Sequence, residues 1–164
     1  MKRFVLLVSL VAVVALGAVF GAKAGGNSDK ILEFETMAPV VAPFTGSTNP
    51  IRGVNGGGVP WSIESGEGRL RADGRLQIEV EGLIIPARGD NPVAAFRGVV
   101  NCLTPEAPMN GVNLVTDPVP ATSDGDARID AVVELPDTCV APIVFVTNGT
   151  SAPPGAWFAT TGVG

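Results

Sequence analysis

Outside its first two dozen residues, no stretch of this chain keeps apolar residues at helical spacing for three turns. The apolar runs are short, and Gly, Pro, Asn or Asp closes each one. The 21 glycines and 14 prolines are the cause, because both residues weaken or break a helix interior. Short apolar runs between turn residues predict strands over Ile31–Met37, Trp61–Glu64, Gly66–Arg71, Arg75–Leu83 and Val93–Leu103. They continue with Val112–Thr116, Ala127–Leu135, Ile143–Thr147 and Ala156–Thr160. About eight to nine short strands with turn signals between them predict an all-β fold, an antiparallel sandwich, with a barrel as the alternative. No period of a solenoid or propeller is present. Residues 38–60, which contain Pro39, Pro43, Pro50 and the Gly56-Gly57-Gly58 run, are the least regular part.

The sharpest local pattern lies between Glu67 and Glu81. Leu70, Leu76, Ile78 and Val80 share one parity; Glu67, Arg69, Arg71, Arg75, Gln77, Glu79 and Glu81 share the other. Opposed residues of an antiparallel pair point to one face. A two-residue Asp73-Gly74 turn would oppose Leu70 to Gln77 and mix the faces. A three-residue loop, Ala72-Asp73-Gly74, opposes Leu70 to Leu76 and puts Gly74 at the left-handed position such a loop needs. The cost is Arg71 opposite Arg75, a few tenths of a kcal/mol at an exposed pair, against roughly 1.5–3 kcal/mol for each buried aliphatic.

The first residues read as an export leader. Lys2 and Arg3 precede a charge-free run, Phe4–Ala22, and Ala22-Lys23-Ala24 offers small residues where a signal peptidase cuts. The expected organisation is a signal peptide over 1–24, a flexible N-terminal segment with the first strand over 25–50, and a β-sandwich domain over 51–164 that also takes in the strand 31–37. The apolar run is long enough to span a bilayer if left uncut, so the alternative is an N-terminal anchor with the domain outside the membrane. Cleavage after Ala24 removes Lys2, Arg3 and Lys23 from 11 basic residues, leaving 8 against 16 acidic ones, a net charge of −8. Such a surface repels phosphate backbones and anionic headgroups, so neither nucleic acid nor membrane insertion after cleavage is expected.

Cys102 and Cys139 both fall in the exported part. An even count in an oxidising compartment favours a disulfide between them; two buried thiols are the alternative. Histidine and tyrosine are absent from the chain, which excludes His-dependent triads and His-ligated zinc or haem sites, and no cofactor is expected. Lys30 is the one side chain left for a Ser–Lys dyad, and it stands at the start of the exported chain. Glu79 and Glu81 resemble a glycosidase pair only in being two carboxylates; on the polar face of a strand they read as a solvated face.

Asp124, Asp126 and Asp130 form a weak calcium candidate, with a plain turn before the strand at Ala127 as the other reading. Gly56-Gly57-Gly58 lacks the Lys-Ser/Thr of a phosphate loop and reads as a turn. Arg88-Gly89-Asp90 matches an adhesion tripeptide and Asn148-Gly149-Thr150 a glycosylation sequon; both also read as turns. Trp61 and Trp157 are the candidate ligand platforms, as sugar-stacking rings, against the alternative of core packing.

The segment GEGRLRADGRLQIEVEGL, Gly66–Leu83, resembles part of a recurring type of small secreted bacterial β-rich protein of unknown function. So do Phe96–Cys102, Pro142–Val146 and Gly155–Ala159. The resemblance implies a signal peptide, a β-rich domain and a paired cysteine. More distantly, the hairpin is similar to the repeating strand pattern of chordin-type (CHRD) domains, whose characteristic histidines have no counterpart here. The expected function is a non-catalytic secreted or envelope-associated structural or binding module, with an extracellular protein or glycan as partner. A small-ligand or carbohydrate-binding domain using Trp61 or Trp157 is the alternative, and an enzyme comes third.

Overall fold

A computed structural model describes residues 29–161, which form ten strands and no helix. These are β1 (Lys30–Phe34), β2 (Met37–Pro39), β3 (Ser65–Arg71), β4 (Arg75–Glu81), β5 (Ala95–Leu103), β6 (Val112–Val115), β7 (Val119–Pro120), β8 (Ala127–Val132), β9 (Val140–Asn148) and β10 (Trp157–Thr161). They build an antiparallel β-sandwich. The smaller sheet runs β1-β3-β4-β8; the larger runs β2-β10-β9-β5-β6, with β7 also on β5. The leader 1–24 and residues 25–28 lie outside the described residues.

The hairpin β3–β4 has the expected register. Leu70 faces Leu76, Gly68 faces Ile78 and Gly66 faces Val80. Gly74 takes φ +81°, and the Asp73 carboxylate accepts the Arg75 amide at 3.0 Å, closing the loop. Leu70, Leu76, Ile78 and Val80 are all buried, as alternation requires when one face of a sheet meets the core. The two sheets are in close contact at Gly98, where an added Cβ would stand 3.0 Å from Leu76 Cδ2 and 3.1 Å from Ile78 Cδ1. Beside it Trp61 stacks on Phe158, centroids 3.9 Å apart, with Phe96 edge-on at 6.4 Å.

Several boundaries differ from the sequence reading. Ile31–Met37 is two strands: the chain bends at Glu35–Thr36, so that β1 joins the small sheet on β3 and β2 joins the large one on β10. Trp61–Glu64 forms only an isolated bridge, Ser62 to Ile84. β8 stops at Val132 rather than Leu135. The unexpected β7 contains Pro120, and it sits on the sheet's edge against Ala95, where a missing N–H costs no ladder bond.

Residues 30–50 contribute β1, β2 and the irregular segment after them to the sandwich. Val40 donates to Phe158 O at 2.8 Å and accepts from Trp61 N at 2.9 Å. The irregular segment continues the edge of the large sheet, where Trp157 accepts from Gly57 N at 2.8 Å and donates to Asn55 O at 2.9 Å. Gly56 is required there, because a Cβ would fall 2.0 Å from Phe44 O.

Candidate functional site

Cys102 and Cys139 are joined, with Cα atoms 4.8 Å apart. The bridge ties the end of β5 to the residue before β9. Around it lies a polar cluster that sequence reasoning missed. Asn101, fully buried, donates through Nδ2 to Asn110 O and Asn113 Oδ1, both at 2.8 Å. Arg52 donates to Asn101 Oδ1 at 3.1 Å and to Ala141 O at 2.7 Å. Burial lowers the Arg52 pKa. The loop Ile51–Val54, closed by reciprocal backbone bonds, thereby crosses the outer face of the large sheet.

At the other end of that face, Arg97 is 6% exposed. It donates to Gly149 O at 3.0 Å and Ser151 O at 3.2 Å, while Nε has no partner among the described residues. Thr147 donates to Pro154 O at 2.6 Å. The signal for both clusters was a charge and an amide, Arg97 and Asn101, inside an otherwise apolar run.

Trp61 and Trp157 are 4% and 2% exposed. Trp61 belongs to the inner aromatic stack, and Trp157 packs on Phe145 at 6.2 Å. Neither ring turns a face to solvent, so the burial supports the core reading of both.

The three aspartates are not brought together. Asp126 Oδ1 accepts the Gly82 amide at 3.0 Å; Asp130 Oδ2 accepts Gln77 Nε2 at 2.9 Å. Four residues of extended chain separate these two by about 13 Å. Asp124 is exposed in the turn. Among the described residues no three acidic or cysteine side chains gather in a way that could hold a metal ion.

The other motifs are tied up locally. Glu79 pairs with Arg128 at 3.2 Å, and Glu81 accepts from Ser65 Oγ at 3.1 Å. Arg88 and Asp90 pair with each other at 2.8 Å, and this bond raises the Arg88 pKa. Asn148 Oδ1 accepts both the amide and the hydroxyl of Thr150, at 2.9 and 2.7 Å. Lys30 pairs with Glu33, whose pKa it lowers, chiefly through their hydrogen bond.

Two surfaces remain. The outer face of the small sheet is a polar row in which Glu33, Arg69, Gln77 and Asp130 oppose one another across four strands. Arg69 donates to Gln77 Oε1 at 2.7 Å. A shallow depression of about 290 Å³ lies over Glu67, Arg69, Glu79 and Arg128.

The second surface is an open side of the sandwich. A groove of about 350 Å³ runs between Val115, Thr116, Asp117 and Val119 on one sheet and Ile129–Val132 on the other. Its second wall is an edge strand. Val133 donates to Gly74 O at 3.0 Å, which fixes the alternation of the β4–β8 ladder. Ala127, Ile129 and Ala131 point their backbone groups at β4, and Arg128, Asp130 and Val132 point theirs away from it. Among the described residues no strand pairs with that outer side of β8.

No protein-family model, curated protein or solved structure matches this chain.

Proposed function

We propose that the protein is an exported, non-catalytic module whose role is structural or binding, working outside the cytoplasm in secreted or envelope-associated form. One observation carries this reading: the unpaired edge of β8 beside the groove of the open side. There unsatisfied backbone donors and acceptors adjoin apolar side chains such as Val115, Val119 and Val132, the combination by which an exposed sheet edge takes up another strand.

Two further features support it. The disulfide fits an oxidising compartment. Among the described residues no helix is long and apolar enough to cross a membrane. The burial of Trp61 and Trp157 leaves the carbohydrate-binding alternative without its platform.

The export half of the proposal is tested by fractionating the cells that make the protein and weighing the intact chain. A form beginning at Gly25, with no free thiol, in the medium or envelope is the expected result. A cytosolic chain that retains Met1–Ala24 and carries two titratable thiols would overturn it.

A further inference from the structure

The open edge of β8 carries its own complement. Arg128 and Asp130 stand two residues apart, so both side chains lie on the outer face of the small sheet, and both have backbone groups directed away from β4. We propose that the partner of this edge is a second copy of the same strand, and that two chains pair β8 to β8 antiparallel about a two-fold axis opposite Ile129. The inference rests on the reading of that edge as the binding surface.

The charges select the register. With Arg128 opposite Asp130 of the second copy, symmetry also sets Asp130 opposite the second Arg128. Two opposite-charge pairs then form on one face. Placing the axis at Asp130 instead would set the two Asp130 carboxylates against each other and leave Arg128 opposite Val132. Moving it on by one more residue would set Asp130 opposite Val132. Directly opposed unlike charges favour pairing and like charges oppose it, so the two-fold at Ile129 is preferred.

The existing partners survive. Glu79 holds Arg128 and Gln77 holds Asp130 from the β4 side of the same face, and the incoming strand approaches from the other side. Opposed residues in a hydrogen-bonded pair have Cα atoms about 5.5 Å apart, whereas the chain's net negative charge is screened over about 8 Å at physiological ionic strength. The two unlike pairs thus act within the screening length, whereas charges farther from the seam are damped. The product is a continuous eight-stranded sheet, built from two copies of the four-stranded one, with an isologous interface that closes on itself.

Charge reversal tests this directly. Arg128→Asp alone and Asp130→Arg alone each place like charges opposite each other in a homodimer. Mixing the two variants restores both unlike pairs, and so does the double exchange within one chain. Sedimentation equilibrium of the exported chain, with circular dichroism as a check on folding, reads the result.

The wild type and the double exchange are expected to dimerise, each single variant to stay monomeric, and the equimolar mixture to form a heterodimer. A wild type monomeric at millimolar concentration would overturn the proposal, as would single variants that dimerise as well as the wild type. A mixture that stays monomeric while the wild type dimerises would place the interface elsewhere. A monomeric wild type removes the second copy as the partner of this edge without removing the edge or the export result, so the two readings fall separately.

Discussion

The two sheets of this sandwich are stabilised in different ways, although they pack face to face. In the small sheet burial alternates: along β4 the even residues are closed off and the odd ones meet water. In the large sheet β5, β9 and β10 are buried on both faces for most of their length. The inner face of the large sheet is covered by the small one. Its outer face is covered by connections, with 51–54 and 104–111 at the disulfide end and 149–155 at the other. Among the described residues the outer face of the small sheet has no such cover, and no strand pairs with the outer side of β8. One domain thus contains a doubly buried sheet and a singly buried sheet with an open edge, and a substitution should have very different consequences in the two.

The largest effect is expected at matched outward-facing positions. Phe145, fully buried, lies on the outer face of the large sheet, and Gln77 occupies the corresponding face of the small one. Phe145→Ala should cost about 3–5 kcal/mol and Gln77→Ala no more than about 0.5 kcal/mol, by urea unfolding of the domain. Equal costs would mean that the connections do not pack on the large sheet.

Next comes the disulfide, which closes the chain around the disulfide end of the large sheet across 37 residues. Its removal by Cys102→Ser with Cys139→Ser should lower stability by about 2–4 kcal/mol while leaving a foldable domain, since loop closure acts mainly on the unfolded chain. Arg52→Ala removes the two strong bonds to Asn101 and Ala141 that hold the 51–54 cover in place. A cost of about 1.5–3 kcal/mol is expected, with Asn101 left short of a donor. A neutral result would show that the loop is held by Val54 packing alone.

The same difference between the sheets decides what the sequence made legible. A sheet with one wet face writes its geometry as alternation. The β3–β4 register, the loop at Asp73 and the turn conformation of Gly74 followed from parity alone. A sheet dry on both faces leaves no alternation, so Ala95–Leu103 and Val140–Asn148 could be recognised as strands but not oriented. The cover over them comes from segments rich in Gly and Pro, whose long-range bonds, such as Gly57 to Trp157, leave no local trace. Ile31–Met37 kept strand-like composition straight through the bend that moves the chain from one sheet to the other. The aspartates looked like a cluster because they are close in sequence, whereas extended chain keeps Asp126 and Asp130 apart. The pairing of the cysteines followed from their even count and the expectation of an oxidising compartment. The bare edge of β8 could not be seen before strand order was known.

Native-state amide exchange in dilute solution tests the contrast between the sheets most directly. Amides throughout the paired core of β5 and β9, Val99, Val100 and Val144–Val146, should exchange only through global unfolding, whichever face their side chains take. In β8 alternation is expected: Ile129 and Ala131 slow, Arg128, Asp130 and Val132 fast. Uniform protection along β8, or fast exchange at Val99 and Phe145, would contradict the contrast.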